Sequence, residues 1–72
     1  MYVYQRLKDV REDFEKKQEE IALVLHITRQ QYQLYESGKR EMPMHHFMTL
    51  AKYYNISLDF LTGLIDTPRV LG

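Results

Sequence analysis

The sequence predicts an all-α fold, a compact bundle of five short helices, and three observations support this prediction. Apolar residues recur at separations of three and four along most of the chain, as on the buried face of a helix. Residues that cap helix starts, and residues that tolerate left-handed backbone, stand between these apolar sets. No segment alternates apolar and polar residues as a strand does. At 72 residues, the chain has room for one domain.

The first two helices are predicted from the spacing of their apolar residues. The first has a single apolar stripe, with separations of four, three and four, made of Val3, Leu7, Val10 and Phe14. A charged break at 15–17 follows, and none of its side chains is a good cap for the next helix. The second helix, at about 18–25, is short because its apolar set begins only at Ile21 and ends at Leu25.

The third helix has the clearest local signals. Thr28 and Gln31 have the form of a capping box, in which each side chain satisfies a backbone donor at a helix start. Gly38 stands where a left-handed residue would end the helix, and Pro43 prevents its immediate continuation. The helix is therefore predicted over about 29–37.

A fourth and a fifth helix complete the predicted domain. The fourth has the spacing of a buried helical face in Phe47, Leu50, Ala51 and Tyr54. Asn55 is expected to end it in a left-handed conformation, Ser57 to cap the fifth helix, and Gly63 to close that helix. The domain is thus predicted over residues 1–64, with an irregular tail at 65–72.

Composition and motifs argue against several classes of function. The chain has no cysteine, no glycine-rich phosphate loop and no nucleophile elbow, so we expect no cofactor and no enzyme activity. The three histidines lack a spacing that would complete a metal site, so we expect no metal. No apolar run resembles a signal peptide or could cross a bilayer, so a cytoplasmic location without membrane contact is expected.

Charge is balanced, with ten basic and ten acidic residues. If the chain binds nucleic acid, the distribution of charge must then matter more than its sum, because phosphate contacts supply most of the affinity. Between positions 28 and 44 the charged residues are Arg29, Lys39 and Arg40, against Glu36 and Glu41.

The second and third helices, joined at 26–28, have the form of a helix-turn-helix. Here the chain resembles the lambda-repressor/Cro-like family, also called the xenobiotic-response-element type, over about residues 4–64. The resemblance rests on QEEIA at 18–22, LHIT at 25–28, YQLYESGKR at 32–40 with Pro43, LAK at 50–52 and SLD at 57–59. It implies a lambda-repressor-like bundle that binds a double-stranded DNA operator and regulates transcription, more specifically as a repressor.

The exposed face of the third helix supplies the candidate base-reading residues. With Tyr32 and Tyr35 turned inward, helical spacing turns outward Arg29, Gln30, Gln33 and, in part, Leu34. Arginine can donate two hydrogen bonds to guanine, and glutamine can pair with adenine. Leucine can contact a thymine methyl group, although an isolated exposed leucine is also ordinary surface.

Other site residues are expected to contact phosphate or to hold the domain together. The phosphate candidates are Gln18, whose role is implied by the resemblance, and Thr28, Ser37, Lys39 and Arg40. The resemblance also implies a structural ion pair between Arg11 and Glu36. His26 replaces a glycine that is common in the turn of the family, so we expect a positive φ there, at some energetic cost.

A homodimer is expected, because one such domain reads only a few base pairs. The candidate dimer contact is an apolar set in the fifth helix and the tail, which could equally cap the core: Phe60, Leu64, Ile65, Val70 and Leu71. The alternative function is a protein-interaction or antitoxin-like module that uses the same fold.

Overall fold

A computed structural model describes residues 4–63, and the regular structure in this range is helical, as predicted. The elements in chain order are α1 (Gln5–Asp13), α2 (Gln18–Val24), α3 (Arg29–Glu36), α4 (Met44–Tyr54) and α5 (Leu58–Leu61). Within the described range, no helix has the length and apolar character needed to cross a membrane. Val3 and the predicted tail lie outside the described residues, and so do four of the five candidate dimer residues: Leu64, Ile65, Val70 and Leu71. The fifth, Phe60, is buried in the core.

The first four helices end with the same backbone arrangement. One residue after each helix adopts a positive φ, and these residues are Glu15, His26, Gly38 and Asn55, with φ of 56°, 59°, 79° and 57°. In each case two backbone N–H groups donate back to carbonyls of the last turn, which is a Schellman motif. The left-handed stops predicted at Gly38 and Asn55 are confirmed, and the stop at Glu15 was not predicted.

The helix starts are held by side-chain oxygens. Thr28 Oγ1 accepts a hydrogen bond from the Gln31 N–H at 3.1 Å, and Ser57 Oγ accepts one from the Phe60 N–H at 3.2 Å. The start of α2 has no hydroxyl cap, as the sequence indicates. Instead, the Glu20 carboxylate in the first turn accepts the N–H of Lys17 at 3.0 Å. An acidic first turn thus replaces part of the missing cap.

The core is formed by the inner faces of all the helices, and α2 packs most extensively against α3. Tyr32 is fully buried at its centre. The predicted apolar face of α4 is buried as expected. Phe14 does not follow the predicted stripe, because α1 ends at Asp13. Its side chain stays 45% exposed, and its ring centroid lies 4.8 Å from that of Tyr54.

Met42, in the loop before α4, is a core residue that the sequence patterns missed. Its side chain is 3% exposed, and its backbone N–H donates to the Tyr4 hydroxyl at 3.2 Å. Periodicity could not identify it, because it lies in no regular element.

Tyr54 buries its hydroxyl without a hydrogen-bond partner among the described residues. Burial raises the pKa of this hydroxyl, so the group stays neutral. A buried hydroxyl without a partner costs about 1–3 kcal/mol of desolvation. We therefore expect Tyr54→Phe to raise the free energy of unfolding by about 1 kcal/mol, measured by urea denaturation. A loss of stability in this variant would show that the hydroxyl has a partner.

Candidate nucleic-acid interface

The turn between α2 and α3 is built from the C-terminal arrangement of one helix and the N-terminal cap of the next. The His26 N–H donates to the carbonyl of Leu23 at 3.1 Å, and the Ile27 N–H donates to that of Ala22 at 3.0 Å. Thr28 follows as the N-cap of α3. Ala22 is itself buried between the helices, and its small side chain lets them approach closely. This geometry fixes α3 firmly against α2.

His26 has the positive φ that the sequence predicts, and its side chain is exposed. Left-handed backbone costs a residue with a Cβ roughly 1–2 kcal/mol. Glycine avoids this cost, but it loses more conformational entropy on folding, which offsets part of the gain. We therefore expect His26→Gly to stabilise the domain by about 1 kcal/mol. Thermal denaturation measures this effect, and Asn55→Gly serves as the matched control because asparagine tolerates this conformation better. Destabilisation by His26→Gly would mean that the imidazole makes a needed contact.

The two faces of α3 have opposite roles. Tyr32 and Tyr35 are 0% and 4% exposed and anchor the helix to the core. The candidate base-reading residues lie on the other side, where Arg29 and Gln30 are exposed and Gln33 and Leu34 are half-buried. Because Arg29 and Gln33 are four residues apart, as are Gln30 and Leu34, the four side chains share one helical face.

The segment after α3 brings the phosphate candidates next to this face. Gly38 reverses the chain, and the backbone N–H groups of Lys39 and Arg40 both donate to the carbonyl of Leu34, at 3.0 and 3.2 Å. The side chains of Lys39 and Arg40 are exposed. Ser37 is exposed too, but its hydroxyl donates to the Leu34 carbonyl at 3.2 Å.

Thr28 stands at the opposite end of α3, where it is exposed. Its oxygen accepts the capping hydrogen bond from the Gln31 N–H. The hydroxyl proton therefore remains available as a donor to a ligand oxygen.

Arg11 and Glu36 form a bidentate ion pair that links α1 to α3. Arg11 Nε and Nη2 donate to the two Glu36 carboxylate oxygens at 2.9 and 2.8 Å, and Nη1 donates to the Lys16 carbonyl at 2.9 Å. The side chains are 13% and 5% exposed. The Glu36 carboxylate accepts a third hydrogen bond, from the side-chain amide of Gln18 at 3.2 Å.

This network alters the interpretation of Gln18. The side chain is half-buried, and one of its two amide N–H groups is engaged by Glu36. A carboxamide carries two N–H donors, so one is left for another ligand. Gln18 thus belongs to the internal network as well as to the candidate surface, a dual role that the sequence did not indicate.

Glu36 is ionised in this setting. Burial alone would raise the pKa of its carboxyl group, but the hydrogen bonds and the positive charge of Arg11, together with the Gln18 amide, outweigh burial and lower it. The Tyr32 hydroxyl approaches the same carboxylate without completing a hydrogen bond of good geometry. Because Arg11 neutralises Glu36, the remaining acidic residue between positions 28 and 44 is Glu41, against three basic ones.

The three histidines lie at two places in the fold, His26 in the turn before α3 and His45 and His46 at the start of α4. Across residues 4–63, no group of three or more potential ligands is placed to hold a metal ion. His45 and His46 lie at the start of α4 with ring centroids 4.3 Å apart, and the His46 ring lies 5.9 Å from that of Tyr35. Burial, with a contribution from the neighbouring His45, lowers the pKa of His46.

Comparison with known proteins agrees with this architecture. A family model described as helix-turn-helix matches residues 7–61. The HTH-type transcriptional regulator YobD of Bacillus subtilis (strain 168) is 31% identical over 64 residues, which are 89% of this chain and 57% of that protein. The chain therefore spans little more than half the length of this relative. No solved structure gives a significant match. The helices, their turn and the family match together show that the chain belongs to the Cro/C1-type helix-turn-helix family.

Proposed function

We propose that this chain binds double-stranded DNA in a sequence-specific manner and regulates transcription, with α3 in the major groove. One observation carries the proposal: α3 is anchored by two buried tyrosines, while its opposite face presents side chains suited to reading bases. In helix-turn-helix proteins, the second helix of the motif is the one that enters the major groove. The similarity to YobD, which is named as an HTH-type transcriptional regulator, supports the regulatory role.

The chemistry of this face suits direct readout of base edges. Arg29 can donate two hydrogen bonds to O6 and N7 of guanine, and Gln30 can pair with N6 and N7 of adenine. Gln33 has the same capacity one turn further along α3. Leu34, half-buried beside Ser37, can contact the methyl group of thymine. Each good bidentate pair discriminates against a wrong base by about 1–3 kcal/mol.

Phosphate contacts on both sides of α3 would fix its register in the groove. Lys39 and Arg40 supply charge at one end, and the Thr28 hydroxyl supplies a donor at the other. Gln18 can contribute its second amide N–H group, and Ser37 its oxygen as an acceptor for a bridging water. Such contacts position a protein on DNA without selecting the sequence.

Repression would follow from occupancy of the operator. A single domain with four reading side chains covers only a few base pairs, so useful specificity requires two copies on two half-sites. The expected spacing between half-site centres is about 10–10.5 base pairs, one turn of the duplex. We therefore propose that the functional form is a homodimer.

Selection of bound sequences from a random pool of double-stranded DNA tests the proposal. We expect enrichment of a short sequence that is repeated in inverted orientation, and binding to it that weakens steeply as salt rises. A pool that yields no common sequence, or affinity that is independent of salt, would contradict the proposal. That result would favour the protein-interaction module over DNA binding.

A further inference from the structure

A polar groove of about 370 Å³ runs between α1 and the unit formed by α2 and α3. It is lined by Lys8, Arg11, Gln18, Gln33, Glu36 and Ser37. Three of these residues, Gln18, Gln33 and Ser37, belong to the proposed DNA-binding surface. The groove therefore opens on that surface, and α1 forms its remaining wall.

The two cations in this groove differ in what they can still bind. Arg11 has its charge neutralised by Glu36, and three of its five N–H groups donate within the protein. Lys8 is exposed, and no carboxylate in the described range lies within ion-pair distance of it. Because the charges of Arg11 and Glu36 cancel, the ammonium of Lys8 gives the groove its net positive charge.

We propose that Lys8 binds a backbone phosphate of the operator, seated at the mouth of this groove. The inference rests on the proposed function. A phosphodiester carries one negative charge and accepts hydrogen bonds, which suits one unpaired ammonium and the second N–H group of Gln18. The contact would extend DNA binding from the helix-turn-helix to α1. Lys8 would then help to set the angle at which α3 enters the groove.

Operator affinity of Lys8→Gln, measured against salt concentration, tests this role. Each phosphate contact contributes about 0.9 to the slope of log affinity against log salt, so the variant should lower that slope by about 0.9 for each half-site bound. Counterion release adds no affinity at about 1 M salt, so the loss per half-site is about fivefold at roughly 0.15 M and about fifteenfold at roughly 0.05 M, and a homodimer on two half-sites loses the square of these factors. Lys8→Arg should keep most of the affinity, because arginine preserves the charge.

Lys52→Gln is the matched control, since Lys52 is an exposed lysine on α4 that lines no part of the groove. Thermal melts of all three variants establish that each is folded. If the wild-type chain binds the selected operator but the salt slope of Lys8→Gln equals that of Lys52→Gln, the role of Lys8 is overturned. The proposed function would then still stand. Failure of the wild-type chain to bind any selected DNA would overturn this role together with the proposed function.

Discussion

Replacement of Arg11 by Met is expected to lower the free energy of unfolding by about 3 kcal/mol, since removing one partner strands the other charge in a buried site. The Glu36 side chain, 5% exposed in the wild-type fold, would keep only the Gln18 amide as a hydrogen-bond donor, with the Tyr32 hydroxyl nearby. A domain of this size typically has about 3–5 kcal/mol of stability in total. Urea denaturation should therefore show that the variant is already close to its unfolding midpoint before any urea is added.

The double variant Arg11→Met with Glu36→Leu separates the cost of a stranded charge from the loss of the pair itself. Replacing both partners of a buried ion pair with apolar residues is often neutral or stabilising. We expect the double variant to recover most of the lost stability. A double variant as unstable as Arg11→Met would contradict this explanation, because no stranded charge would remain to account for the loss.

The same pair gives a pH dependence whose sign follows from the Glu36 pKa. In the wild-type fold this pKa lies below its ordinary value of 4.5. The stabilisation from the pair is thus complete above that value and is lost as pH falls through the lower, folded-state pKa. In Arg11→Met, burial would instead raise the Glu36 pKa, so acidification would neutralise the stranded carboxylate. The difference in the free energy of unfolding between the wild-type chain and Arg11→Met should therefore become smaller as pH falls.

Replacement of Gln30 by Ala should weaken binding to the selected operator by about 1–3 kcal/mol for each half-site bound, roughly five- to 150-fold in affinity per half-site. Gln30 is exposed near the start of α3, where recognition helices meet base edges. The loss should be confined to sequences that carry the preferred base at one position of each half-site. Affinities of the variant for operators with each of the four bases at that position measure the effect.

Lys39→Ala is the control for this experiment, because Lys39 is exposed in the segment after α3 and is expected to contact phosphate. Its affinity should fall by a similar factor on every operator variant, and the salt slope should fall by about 1 for each half-site bound. If Gln30→Ala also weakened binding to all sequences alike, Gln30 would be a phosphate contact and not a base reader.

The helices were predictable wherever the signal is local. A cap, an apolar spacing or a left-handed stop depends on a few neighbouring residues, and those at Ser57, Gly38 and Asn55 have the predicted geometry. Thr28 caps α3 as predicted, but the return hydrogen bond to the Gln31 side chain that a capping box requires does not form. Glu15 escaped prediction because glutamate is seldom left-handed. Here hydrogen bonds hold it in that conformation: the Glu15 and Lys16 N–H groups donate to carbonyls of the last turn of α1, and Arg11 donates to the Lys16 carbonyl.

The candidate site was predictable only in part, since some of it depends on contacts between distant segments. The face of α3 follows from its own period, so the exposure of Arg29 and Gln30 could be anticipated. The hydrogen bond between Gln18 and Glu36 joins residues eighteen positions apart, and no local pattern encodes it. The same holds for Lys8, whose place in the groove depends on how α1 packs against α3.

An NMR titration with the selected operator tests the central claim most directly. Backbone and side-chain amide signals of the chain would be followed as duplex DNA is added. We predict that the largest shifts come from the first turns of α3, from the side-chain amides of Gln30 and Gln33, and from Lys39 and Arg40. Shifts concentrated in α4 and α5, with those of α3 unchanged, would contradict the account.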